Sequence, residues 1–98
     1  MYNVDKIKYY LNNILKIPSP TGFTSNIMDY IKEELHLLNA FYSSTNKGSL
    51  IVKIDGENKD YVKTFSCHVD TLGAMVKEIK AKGTLSLSPI GGRLKIKV

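Results

Sequence analysis

The sequence predicts an α/β chain: two amphipathic helices, then strands, then the start of a small β domain. Three observations carry this. Apolar residues recur at helical spacing as far as Leu38. From Phe41 the period changes to that of extended chain. After Gly73 the apolar runs are all short and separated by turn residues. That order places the first part of an α/β layer at residues 1–71 and the start of a compact β domain at residues 72–98.

Val4, Ile7, Leu11, Ile14 and Leu15 build the stripe of the first helix. Asn3 is its N-cap, since its side-chain oxygen can accept from an orphan backbone N–H. Pro18 and Pro20 stop it, because proline lacks the N–H of the ladder and restricts the residue before it. The loop Pro18-Ser19-Pro20-Thr21-Gly22 follows, and a second helix starts near Thr24 or Ser25. Ile27, Ile31, Leu35 and Leu38 share its apolar face, Lys32, Glu33, Glu34 and His36 are polar positions, and Asn39 is the stop.

Phe41–Thr45 reads as a weak strand, Asn46-Lys47-Gly48-Ser49 as a turn and Leu50–Ile54 as a strong strand. Residues 55–60 read as a loop, and Tyr61–Cys67 as a strand that delivers His68 at its carboxyl end. Ala74–Lys80, Thr84–Ser88 and Leu94–Val98 are expected strands, divided by Ala81-Lys82-Gly83 and by Pro89-Ile90-Gly91-Gly92. No internal repeat or low-complexity segment interrupts the chain.

With 98 residues and 43% hydrophobic content, there is material for one small core, but not for a doubly wound domain plus a second domain. No run approaches the roughly 20 apolar residues of a membrane span. The opening Met1-Tyr2-Asn3-Val4-Asp5 lacks the basic-then-apolar pattern of a secretory signal. Cys67 is the only cysteine, so no internal disulfide forms; that suits a reducing compartment, and the expected location is cytoplasmic.

The formal charge of +5 is unevenly placed. Residues 1–46 carry four Lys against four acids, whereas residues 47–98 carry nine Lys and Arg93 against five. Lysine dominates, while reading of phosphates and base edges favours arginine, so the signal for nucleic acid is weak. The simpler reading places these lysines on the solvent faces of strands.

The stretch that could carry chemistry is Cys67-His68-Val69-Asp70-Thr71-Leu72-Gly73. In extended chain, residues two apart face the same side, so His68 and Asp70 can converge. A neutral imidazole is a common zinc ligand, and a nearby carboxylate can fix its tautomer. The carboxyl end of a strand is where open α/β sheets place their sites. The same spacing also suits a strand-end histidine bonded to a turn-forming aspartate. One imidazole and one carboxylate fall short of the three or four protein ligands that zinc takes.

The run His68-Val69-Asp70-Thr71-Leu72-Gly73-Ala74-Met75-Val76-Lys77-Glu78-Ile79, followed by Gly83, Leu85 and Ile90-Gly91-Gly92, resembles the amino-terminal region of the glutamyl and deblocking aminopeptidases. These are cytoplasmic co-catalytic metallopeptidases, some once labelled cellulases or endoglucanases. Ser19-Pro20-Thr21-Gly22 after the opening helix is similar to the family's early loop, and Asn46-Lys47-Gly48-Ser49-Leu50 to the lead into its next strand.

The resemblance implies the first part of a mixed-sheet aminopeptidase domain over 1–71 and the start of an inserted β-barrel-like domain over 72–98. It implies that His68 is a metal ligand and Asp70 the catalytic carboxylate beside that metal, orienting its ligand. It implies two divalent ions per complete site, zinc first, with cobalt or manganese as alternatives. The substrates would be peptides, and the full-length form a homo-oligomer. The bridging aspartate, the glutamate base, the further carboxylate ligands and the late histidine of the family match nothing in these residues, so the chain alone is expected to be catalytically incomplete.

Other residues fit simpler roles. His36 reads as a surface helix histidine, and Cys67 as buried strand packing. The six tyrosines suit amphipathic core edges, and Gly91-Gly92 a turn or bulge. Two alternatives to an enzyme segment stand beside it. One is a small basic β-rich module binding nucleic acid or another acidic partner; the other is an inactive remnant whose unpaired strands Leu50–Ile54 and Tyr61–Cys67 tend to associate.

Overall fold

A computed structural model describes residues 2–92. Among them the elements run α1 (Val4–Leu15), α2 (Ser25–Leu37), β1 (Tyr42–Ser44), β2 (Leu50–Val52), β3 (Gly73–Ile79) and β4 (Leu85–Ile90). The expected order of helices before strands holds, and the architecture is mixed α and β. The expected strand Leu94–Val98 lies outside the described residues.

The two helices begin and end where the sequence predicts. Asn3 caps α1 from an extended conformation, its side-chain oxygen accepting from the Lys6 amide at 3.0 Å. At the far end of α2, Asn39 takes a left-handed φ of 53°. That conformation lets Ala40 donate to the Leu35 carbonyl at 2.9 Å and Asn39 to that of His36 at 3.0 Å. These two bonds satisfy carbonyls that a helix end would otherwise orphan.

Both sheets are antiparallel hairpins. In the first, Tyr42 pairs with Val52 and Ser44 with Leu50. Its turn closes through the Thr45 amide on the Ser49 carbonyl at 2.9 Å, with Gly48 at a φ of +86° that favours glycine. In the second, Gly73 pairs with Ile90 and Ile79 with Leu85, with a bulge between Val76 and Glu78. Pro89, expected in a turn, lies within β4 opposite Ala74. Both strands of a two-stranded sheet are edges, which is where proline is tolerated.

Two expectations fail. Residues 61–67 form no strand, and the expected strand from Leu50 ends at Val52. A strand exists only by pairing, and none of the described residues pairs with 61–67. Cys67, expected in buried packing, is consequently exposed, as is Phe65 at 93%.

The chain divides into two compact units. One brings residues up to Ile27 together with those from Val69 on; the other runs from Met28 to His68. In the first, Ile27 is fully buried and Ser19 is 2% exposed, whereas Val4, Ile7, Leu11 and Leu15 of α1 remain 52–67% exposed. The second holds most of α2, the β1–β2 hairpin and the irregular segment up to His68. No helix among the described residues is long and apolar enough to cross a membrane.

Candidate metal centre

The segment after Pro18 is where the two ends of the first unit meet. Pro18 and Pro20 keep this segment out of a helix: Thr21 and Gly22 form a turn closed by the Phe23 amide on the Pro20 carbonyl at 2.8 Å, and the remaining polar groups of residues 19–21 must find partners elsewhere. They find them at residues 69–71. The Thr71 amide donates to the Ser19 carbonyl at 2.9 Å, and Pro20 forms a parallel bridge with Thr71. The buried Ser19 hydroxyl donates to the Val69 carbonyl at 2.9 Å. The Thr21 hydroxyl donates to Asp70 Oδ2 at 2.8 Å.

Glycine is required for this approach. A Cβ on Gly73 would lie 2.6 Å from the Pro20 Cβ, far inside van der Waals contact. Pro20 therefore sits against the start of β3, and the carboxylate of Asp70 is held at the bridge.

Of the two residues expected to carry chemistry, Asp70 is half-buried within this arrangement, while His68 ends the second unit and is exposed. No strand precedes His68 to present it, so the carboxyl-end placement expected from Tyr61–Cys67 is absent. His36 lies in the last turn of α2, exposed, with its Nε2 3.3 Å from the Tyr42 hydroxyl and the two rings edge to face at 5.6 Å. An open hollow lined by His36, Asn39, Ala40, Phe41 and Tyr42 lies there, and it includes neither His68 nor Asp70.

An imidazole and a carboxylate are the right donor types for a divalent zinc, cobalt or manganese ion. Among the described residues, however, no group of three or more His, Cys, Asp or Glu side chains is placed to hold a metal. The described residues thus do not make up a metal site by themselves.

Residue reasoning alone gave no role to Ser19 and Thr21, which contact positions 50 and 49 residues away. No local pattern signals a contact at that separation. The one available hint is a hydroxyl residue after each of two prolines, where a polar side chain has no helix to serve.

Residues 48–96 match the sequence profile of the M42 glutamyl aminopeptidases. That region contains both His68 and Asp70. A Bacillus subtilis (strain 168) protein named "Putative aminopeptidase YhfE" is 40% identical over 92 residues, which is 94% of this chain and 27% of that protein. The chain thus spans about a quarter of the length of this curated relative. With half of its residues on the profile and nearly all of them aligned to the relative, the chain belongs to the M42 glutamyl aminopeptidase family.

Proposed function

We propose that these residues are the amino-terminal part of a metal-dependent aminopeptidase that releases the first residue of short peptides. The observation that carries the reading is that His68-Val69-Asp70 lies inside the family-matched region, with Asp70 held in a defined hydrogen bond. His68 is the metal ligand and Asp70 the carboxylate that orients the liganded imidazole. Zinc is the first choice of ion, with cobalt or manganese as alternatives. The remaining ligands, the general base and the second ion's site come from outside these 98 residues.

The assignment extends to organisation. Residues 1–71 belong to the peptidase domain and residues 72–98 open an inserted barrel-like domain. The assembled enzyme is a cytoplasmic homo-oligomer acting on peptides rather than nucleic acid. The chain by itself cleaves nothing, since two donors and no base cannot complete a hydrolytic site.

Metal analysis of the wild-type chain and of His68→Ala tests the ligand assignment. In a zinc titration read at equilibrium, the wild type binds zinc weakly and the variant more weakly still. Equal binding removes His68 from the site. Release of amino-terminal residues from short peptides by the chain alone would overturn its incompleteness.

A further inference from the structure

We propose that Asp55-Gly56 is a self-modification site, where the aspartate cyclises onto the glycine amide and reopens as an isoaspartyl linkage.

This chemistry has three requirements. The aspartyl side chain must be able to turn back onto the main chain, the next amide nitrogen must be unengaged, and the next side chain must not shield it. Glycine, having no Cβ, shields it least. Asp55 is the only aspartate or asparagine in the chain that precedes a glycine. The structure meets the other two requirements. Both residues are exposed and lie outside helix and strand, beyond the end of β2 at Val52. Among the described residues, neither the Asp55 carboxylate nor the Gly56 amide enters a hydrogen bond or ion pair.

The other aspartates show how the fold protects such a site. Asp5 is followed by Lys6, whose amide donates to the Asn3 side chain at 3.0 Å. Asp29 lies within α2, where the following amide is held in the helical ladder, and its carboxylate is 3.7 Å from Lys32 Nζ. Asp70 is followed by Thr71, whose amide donates to the Ser19 carbonyl at 2.9 Å. Asp60 precedes Tyr61, whose side chain crowds the nitrogen.

The step balances with water alone. In the neutral carboxyl form, the Gly56 nitrogen bonds to Asp55 Cγ, and the Cγ hydroxyl leaves with the amide hydrogen as water. Water then reopens the succinimide. Addition at Cγ restores aspartate. Addition at the Asp55 main-chain carbonyl breaks the original peptide bond and leaves the chain running through Cγ. Nothing is oxidised or reduced. Each conversion adds a methylene to the main chain between β2 and His68 and leaves a carboxylate on the Asp55 Cα.

The fold does not itself demand glycine here, which makes substitution a clean test. Gly56 is not among the glycines with positive φ, and an added Cβ would meet only the Asn58 carbonyl oxygen at 3.9 Å, an ordinary contact. The full 98-residue chain is incubated in heavy-oxygen water at mildly acidic pH, both folded and in urea, then digested in ordinary water and read by mass spectrometry. Each cycle places one heavy oxygen at residue 55. The isoaspartyl form is identified by its resistance to an endoprotease that cleaves before aspartate. The folded chain is expected to label at Asp55 at a rate of the same order as in urea, and faster than at the other aspartates. Gly56→Val is expected to lose the labelling. Circular dichroism confirms that its fold is kept, and Gly56→Ala, read in the same way, decides the matter should valine disturb it.

Labelling of Asp55 confined to urea overturns the inference, because the fold then protects the site. So does labelling unchanged by the Gly56 substitution, labelling of Asp60 or Asp70 as fast as that of Asp55, or heavy oxygen at residue 55 without the isoaspartyl product.

Discussion

A single absent methyl group is what lets the proline loop reach Asp70. A Cβ on Gly73 would stand 2.6 Å from that of Pro20, and both atoms belong to short, rigid positions that cannot swing away. Relief has to come from the backbone bridge between Pro20 and Thr71. Gly73→Ala is therefore expected to destabilise the chain by about 1–3 kcal/mol, the usual cost of overpacking. A double-mutant cycle with Pro20→Gly, followed by urea unfolding, checks the cause. Removing the opposing Cβ recovers part of the loss, so the two changes are coupled. Simple additivity would show that Gly73 is needed for another reason. Gly91 differs in kind. Its Cβ would meet the Leu72 Cδ2 at 2.7 Å, the far end of a flexible side chain, so at Gly91 the φ of +91° is the firmer constraint.

Helix ends were legible in the sequence because they are decided by residues within a few positions of one another. Asn3 and Asn39 sit at the ends of α1 and α2 as expected, the first by its side chain and the second by its backbone. The roles predict different outcomes. Asn39→Ala places a Cβ-bearing residue without asparagine's tolerance at a φ of 53° and is expected to cost about 1 kcal/mol; Asn39→Gly is expected to change stability by no more than a few tenths. Thermal unfolding followed by circular dichroism separates them, and equal losses would show that the side chain matters rather than φ. The two hairpins were legible for the same reason, since a turn residue such as Gly48 or Gly83 specifies its own neighbours. The strand expected over Tyr61–Cys67 was not settled by its own residues. Its apolar content suits a sheet, but a ladder needs a partner, and sequence pattern cannot supply one. The same logic divides the candidate site: the His68-Val69-Asp70 spacing is readable directly, whereas the Thr21 contact 49 residues away is not. Amides of residues 61–67 are accordingly expected to exchange with solvent faster than those of β3 and β4. Comparable protection in both would show that the segment is paired after all.

Within the first unit the apolar face of α1 is open and regular: Val4, Ile7, Leu11 and Leu15 form its stripe, and each is more than half exposed. An amphipathic helix is held mostly by burying such a stripe, so this face gains by any contact that covers it. The chain is expected to self-associate as its concentration rises, with α1 as one contact face. Leu11→Lys tests this directly. Lysine matches leucine in helix propensity, and Leu11 is 54% exposed, so stability should shift by no more than about 0.5 kcal/mol. Sedimentation velocity should nonetheless show weaker association. The substitution also raises a net charge that is already +5, which by itself opposes association. Asn12→Lys adds the same charge to α1 off the stripe and isolates that effect. If both variants weaken association equally, general repulsion is the cause; if only Leu11→Lys does, the exposed stripe is the face through which copies of the chain meet.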